Sequence, residues 1–178
     1  MNPAAWLEAD MARHMLIEFP LLMAAGAALA NVAPPRIAAA IERIDCMGLT
    51  GWTFTSLVLG FWMIPAALDA AIASGPVNAA KYASLLAAGF AARGAMVRSP
   101  RVVQAFFIGN LVWMTATVGL VYQDAPRQLC LYYRVDAQVW AGRGLIVVSL
   151  AVAAAWLYAV LRTEALHRTH SSATPIRS

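Results

Sequence analysis

His14 and Glu18 are the two residues of this 178-residue chain whose types and spacing best suit chemistry. They stand four residues apart in an otherwise apolar stretch, so a helix places them on one face, one turn apart. An imidazole and a carboxylate in this arrangement can bind a metal ion or relay a proton. They can equally form a hydrogen-bonded pair that faces other helices. Because an ionisable group is costly to bury in an apolar segment, the position is a candidate functional site, with the hydrogen-bonded pair as the open alternative.

Two sulfur-bearing residues extend the metal hypothesis. Met15 follows His14 directly, and thioether sulfur favours Cu(I), although methionine is also common packing material. The chain has 2 cysteines, and Cys46 and Cys130 are expected on opposite sides of a membrane, where they cannot pair. Cys130 can therefore bind a soft metal with His14, pair with a partner protein, or simply be buried. The candidate metal ligands are thus His14, Met15, Glu18 and Cys130.

Asp69 and Lys81 lie on either side of a short loop and are predicted to form a structural ion pair. A desolvated pair returns little stability unless it is well hydrogen-bonded, so its expected task is to fix how one helix enters the next. Trp62 and Pro65, just before Asp69, indicate a kink. A weaker alternative is a membrane enzyme that uses Asp69, Lys81 and Glu18 on a lipid or a quinone.

Five apolar stretches must position these residues. Hydrophobic residues make up 61% of the chain and charged residues 12%, against about 25% charged in ordinary soluble domains. A bilayer core needs about 20 apolar residues in helical form, because unpaired backbone groups are not tolerated in lipid. We therefore predict an all-α, polytopic transmembrane helical bundle over residues 1–162, followed by a flexible cytoplasmic tail over 163–178. The predicted membrane-spanning helices are 11–33, 51–74, 81–97, 102–122 and 145–161.

A short amphipathic helix is predicted between the first two stretches. Ile37, Ile41 and Ile44 recur at helical spacing after Pro35, and Gly48 is a plausible end. With its charged residues elsewhere on the helical wheel, this segment is expected to lie on the cytoplasmic surface of the membrane as an anchor.

The basic residues predict the orientation. Cytoplasmic loops of membrane proteins carry an excess of Lys and Arg, and with five crossings the 13 such residues divide unequally. The predicted cytoplasmic side carries Arg36, Arg43, Arg93, Arg98, Arg101, Arg162, Arg168 and Arg177. The predicted outer side carries Arg13, Lys81, Arg127, Arg134 and Arg143. The N-terminus is therefore expected outside and the C-terminus in the cytoplasm, in a bacterial inner membrane.

Several functional classes lack their signatures. The charge is scattered, with no basic run, so nucleic acid is not an expected partner. His167 and His170 are predicted in the tail, on the side opposite His14, so a bis-histidine haem site is not expected. No nucleotide-binding loop and no serine triad is present.

The first apolar stretch resembles the opening motif of the CtaG-type cytochrome oxidase assembly factors. The resemblance covers residues 14–22, His-Met-Leu-Ile-Glu-Phe-Pro-Leu-Leu, and the Ala-Pro-Pro sequence at 33–35. His14 takes the position of the first histidine of the motif, while Glu18 replaces the second. The resemblance implies an accessory protein, not an enzyme, that assists copper delivery to a respiratory oxidase or its maturation, with oxidase subunits as partners. The alternative is a structural accessory subunit of a larger membrane complex, with no metal role.

Overall fold

The computed structural model describes residues 13–45, 47–124 and 135–172, and this part of the chain is helical with short connections, as predicted. A π-helical turn, His14–Glu18, continues directly into Phe19–Asn31, and we treat the two as one helix, α1 (His14–Asn31). The other helices are α2 (Pro35–Ile44), α3 (Leu49–Trp62), α4 (Pro65–Ala73), α5 (Gly75–Arg98), α6 (Arg101–Asp124) and α7 (Val135–Ser172).

Three of the described helices are long and apolar enough to cross a membrane. They are α1, α6 and the part of α7 from Ala137 to Ala165. The helices α3 and α4 meet the same requirement together, but they are bent by 75° at the break between them. The chain is thus a helical bundle with three or four candidate spans by length and composition, and α5 falls outside that set.

The bend between α3 and α4 occurs where the sequence indicated a kink. Pro65 is the first residue of α4, and Ile64 before it is extended, with φ −76° and ψ 126°. A proline disfavours the helical conformation of the preceding residue, which favours a break there. Because α3 has 14 residues, it is about 21 Å long, shorter than a bilayer core of about 30 Å.

The helix α5 packs against α1, α3 and α4 through one face, on which its buried residues recur at helical spacing. Polar groups on a face that protein covers do not have to meet lipid. Lys81 lies on that face, which helps to explain why α5, with 24 residues and a length of about 36 Å, is less apolar than the candidate spans. The buried residues are Lys81, Leu85, Ala88, Gly89 and Ala95.

Contacts at both ends show that α1 and α5 run parallel. Glu18 pairs with Lys81 near the start of both helices, and Arg93 Nε donates to Asn31 Oδ1 at 2.8 Å near their ends. We call these the Lys81 end and the Arg98 end of the bundle. The helix α3 runs the opposite way, because Trp62 contacts α5 at the Lys81 end, through Ser84.

The last two long helices, α6 and α7, also run in opposite directions to each other. Tyr122 Oη, near the end of α6, donates to the Met63 carbonyl at 2.9 Å, and Gln138 Nε2 of α7 donates to the Tyr122 carbonyl at 3.1 Å. At the Arg98 end, Trp156 Nε1 donates to Gln104 Oε1 at 3.2 Å. The long helices therefore alternate in direction along the chain, and His14 and Lys81 lie at the same end.

Several boundaries differ from the sequence prediction: α5 begins at Gly75 instead of residue 81, and α7 begins at Val135 instead of residue 145. The amphipathic helix α2 forms, but it ends at Ile44 instead of Gly48. Gly48 has φ 74° and immediately precedes α3, so it begins the next helix and does not end α2. The helix α7 continues to Ser172, so residues 163–172 are helical where a flexible tail was predicted. The Arg101 side chain contacts both Thr163 and Glu164, which ties that part of α7 to the start of α6.

Glycines allow α1 and α5 to approach closely. A Cβ at Gly89 would overlap the carbonyl of Met23, and a Cβ at Gly26 would overlap the carbonyl of Leu86. Both obstacles are backbone atoms of the neighbouring helix, which cannot move aside as a flexible side chain can.

We therefore predict that Gly89→Ala destabilises the purified protein by about 1–3 kcal/mol, through overpacking at this crossing. The matched control is Gly109→Ala in α6, where an added Cβ meets nothing within 4 Å. That control should be neutral or slightly stabilising, because alanine is the better helix former. The measurement is unfolding of both variants in the same detergent. Equal stability of the two variants would contradict the close packing of α1 against α5.

Candidate functional site

A buried triad of His14, Glu18 and Lys81 joins α1 to α5. Lys81 Nζ lies 2.7 Å from Glu18 Oε1 and 3.1 Å from His14 Nε2, and His14 Nδ1 lies 3.9 Å from Glu18 Oε2. All three side chains are almost completely buried. The pairing of His14 with Glu18 on one helix face was predicted from their spacing. The lysine comes from a different helix, more than sixty residues away in sequence.

The π-helical turn His14–Glu18 sets the direction of the two α1 side chains. Pro20 follows it within the first turn of the regular helix. Proline has no N–H to donate to the carbonyl four residues earlier, and its ring clashes with that carbonyl, so the helix widens just before it. Within the turn, His14, Met15 and Glu18 are buried while Ile17 is exposed. Turns of this type recur at functional sites because they redirect side chains.

The proton arrangement of the triad follows from the donors that each group has. A protonated lysine has donors and no acceptor, so His14 Nε2 must accept from it. The neutral imidazole then carries its proton on Nδ1, on the side of Glu18. The arrangement places one positive charge and one negative charge in contact within the bundle, with the imidazole completing the contacts of the ammonium.

Aromatic and hydroxyl groups surround the triad. The Lys81 ammonium lies 4.8 Å from the centre of the Tyr82 ring, and the His14 ring meets Phe19 edge-on at 5.6 Å. Ser84 Oγ donates to the Lys81 carbonyl at 3.0 Å and accepts from Trp62 Nε1 at 2.8 Å. Ser84 thereby links the backbone of Lys81 to Trp62 at the end of α3.

The predicted metal ligands do not form a metal site in the described part of the chain. His14 and Glu18 are together, but a lysine ammonium lies against both, and its positive charge opposes a metal cation there. Met15 packs in the apolar core with Phe19 and Leu145. No group of three His, Cys, Asp or Glu side chains suited to a metal occurs among the described residues. Cys130 lies outside them.

The structure gives Lys81 a different carboxylate from the one predicted. Among the described residues, its ion pair is with Glu18, whereas the sequence prediction paired it with Asp69. Asp69 lies on α4, which crosses the Lys81 end of the bundle after the 75° bend. The short loop between Asp69 and Lys81 suggested a local pair, but the parallel packing of α1 and α5 supplies a non-local one.

A second charged cluster, at the Arg98 end, was not predicted as a site. Asp45 Oδ1 accepts from the Thr50 amide at 2.9 Å, and Oδ2 accepts from the Gly51 amide at 3.2 Å, so this carboxylate caps the start of α3. Arg98 Nη2 also donates to Asp45 Oδ2, at 2.9 Å, and Arg98 Nε donates to the Asp45 carbonyl at 3.0 Å. An acidic residue a few positions before a helix is a recognisable capping signal, whereas its arginine partner is distant in sequence.

Cavities in the bundle are lined mainly by apolar residues. One of about 220 Å³ lies between α1, α3, α6 and α7, with Met15, Phe19 and Met63 in its wall. None of the three triad side chains lines it. The triad therefore contacts protein instead of this cavity.

The chain matches no protein-family model, no curated protein and no solved structure. The resemblance of the first helix to CtaG-type assembly factors therefore stays a prediction that rests on residues 14–22 and 33–35. The contacts of the triad are the firmer basis for a functional proposal.

We predict that Lys81→Met lowers the free energy of unfolding by about 3–5 kcal/mol, because it leaves the buried Glu18 carboxylate without its cation. The double variant Lys81→Met, Glu18→Leu should recover most of that loss, since it removes both charges together. Unfolding of Lys81→Met, of Glu18→Leu and of the double variant in one detergent gives the coupling energy of the pair.

Arg101→Met is the matched control for this experiment. Arg101 forms an ion pair with Glu164 at 2.7 Å, but the two side chains are 46% and 45% exposed, so its loss should cost no more than about 1 kcal/mol. Losses of the same size for Lys81→Met and Arg101→Met would show that the triad does not hold α1 to α5.

Proposed function

We propose that this chain is an accessory protein of a bacterial inner membrane that acts by contact with a larger membrane complex and does not turn over a small substrate. The observation that carries the proposal is the buried triad. The Lys81 ammonium pairs with the Glu18 carboxylate and contacts the His14 imidazole, so the triad fastens α1 to α5, as a structural role requires. On the outside of the bundle, large apolar side chains are available to lipid or to other membrane helices.

We infer five membrane crossings for this protein. They are the candidate spans α1, α6 and α7, the broken pair α3 and α4, and in addition α5. The alternating directions of α1, α3, α5, α6 and α7 are those that five successive crossings produce. The broken pair α3 and α4 supplies the second crossing, and its short first part is compatible with a bend near one membrane surface. Placing the Arg98 end in the cytoplasm satisfies the excess of basic residues on that side.

The proposed topology predicts opposite locations for the two ends of the bundle. Single cysteines introduced at exposed positions in a Cys46→Ser, Cys130→Ser background would report the sides: one at Gly75 for the Lys81 end and one at Arg162 for the Arg98 end. A membrane-impermeant thiol reagent applied to intact spheroplasts should label the first and not the second. Labelling of both or neither, when permeabilised cells label both, would contradict five crossings.

The copper-delivery form of the proposal comes from the resemblance of the first helix alone. The geometry disfavours this form, because a metal ion bound at His14 Nε2 would have to displace the Lys81 ammonium. Oxidase subunits are candidate partners under this form, whereas any larger membrane complex fits the structural form. The triad therefore favours the accessory role without a metal.

The accessory proposal is tested by isolating the tagged full-length chain in a mild detergent and measuring both its retained partners and its copper. We expect other membrane proteins at a constant ratio to the chain, and copper at background in the wild type and in His14→Ala alike. Isolation of the chain alone would contradict the accessory role. One copper ion per chain that is lost in His14→Ala would instead establish the copper-delivery form.

A further inference from the structure

At the Arg98 end, a groove opens between the amphipathic helix α2 and the helices of the bundle. Its volume is about 310 Å³, and its walls include Ile41 and Ile44 of α2, Phe54 of α3 and Phe90 of α5. Ala30 and Ala33 form the part of the wall that belongs to α1 and its exit. This size suits a segment of an acyl chain and is too small for a folded partner.

Exposed arginines lie on the helices that form this apolar groove. Arg93 of α5 donates to Asn31, which lies in sequence between the groove residues Ala30 and Ala33. Arg36 and Arg43 are exposed on α2, the helix whose isoleucines form one wall of the groove. An apolar groove between helices that carry exposed cations is complementary to a lipid that has an anionic headgroup.

The carboxylate nearest the groove does not cancel this charge. Asp45 lies in the wall and accepts from the Thr50 and Gly51 amides and from Arg98. Its negative charge is therefore already matched by Arg98 and by the start of α3. Gly94 leaves room for the Arg98 guanidinium beside Asp45, since a Cβ there would lie 2.9 Å from its nitrogens.

We propose that this groove binds an anionic phospholipid of the cytoplasmic leaflet, with one acyl chain between α2 and the bundle and the phosphate near Arg93 and the α2 arginines. The inference rests on the membrane placement proposed above, and it adds a ligand of stated chemistry to it. It also gives α2 a purpose beyond anchoring, since its isoleucines form one wall of the site.

The test is native mass spectrometry of the purified full-length protein, titrated with phosphatidylglycerol and with phosphatidylcholine of the same acyl chains. We expect the anionic lipid to be retained about tenfold more tightly. Arg93→Gln should weaken phosphatidylglycerol about fivefold, the effect expected for one arginine near a lipid surface, and leave phosphatidylcholine unchanged. Arg162→Gln, an exposed arginine of α7 that does not line the groove, is the matched control.

A second variant tests the apolar groove separately from the arginine charge. Ala33→Leu fills the groove and should weaken both lipids, whereas Ala87→Leu, at an exposed position of α5 outside the groove, should weaken neither. Helical content and monodispersity verify that both variants fold. Equal retention of the two lipids by the wild type, or equal effects of Arg93→Gln and Arg162→Gln, would overturn the site. Because binding is measured in detergent, that failure is distinct from a failure of the topology or of the partner experiment.

Discussion

The contact between Lys81 and Glu18 is the constraint on which the bundle depends. A fully buried ammonium is tolerated only with a carboxylate and further polar groups in contact with it, because removing either charge from water costs several kcal/mol. Glu18 and His14 meet that requirement only if α1 and α5 lie parallel and in this register. The glycines at the α1–α5 crossing then allow the two backbones to approach, so the polar contact and the close packing specify the same arrangement.

The same constraint explains why a helix that is less apolar than the candidate spans belongs to the bundle. The lysine of α5 points at α1, and Thr55 of α3 donates to the Ala88 carbonyl of α5 at 3.1 Å, so polar groups of this helix are used inside the protein. The helices α6 and α7 expose many large apolar side chains on the outside of the bundle instead. Mean hydropathy averages over all faces of a helix, so it identifies a helix with a polar packed face less readily than one that is apolar throughout.

Local patterns predicted much of this molecule, whereas non-local pairings were not predictable. The shared face of His14 and Glu18 follows from a four-residue spacing, and the break before α4 follows from Pro65. The partner of Lys81 was assigned to Asp69 because that residue is near in sequence, but the choice depends on which helices become neighbours in space. Gly48 shows a related ambiguity, since a glycine with positive φ can precede a helix as well as end one. The end of α7 was missed because polar residues past the apolar run do not by themselves stop a helix.

The two ends of the bundle handle charge in opposite ways. At the Lys81 end the charges of the triad are buried and matched within the protein, so they act on the relative position of the helices. At the Arg98 end, Asp45 and Arg98 match each other, while Arg93 and the arginines of α2 remain at the surface. Buried pairs resist screening by salt, whereas exposed cations act on whatever surface lies beside them. This difference assigns the structural task to the first end and recognition of an anionic surface to the second.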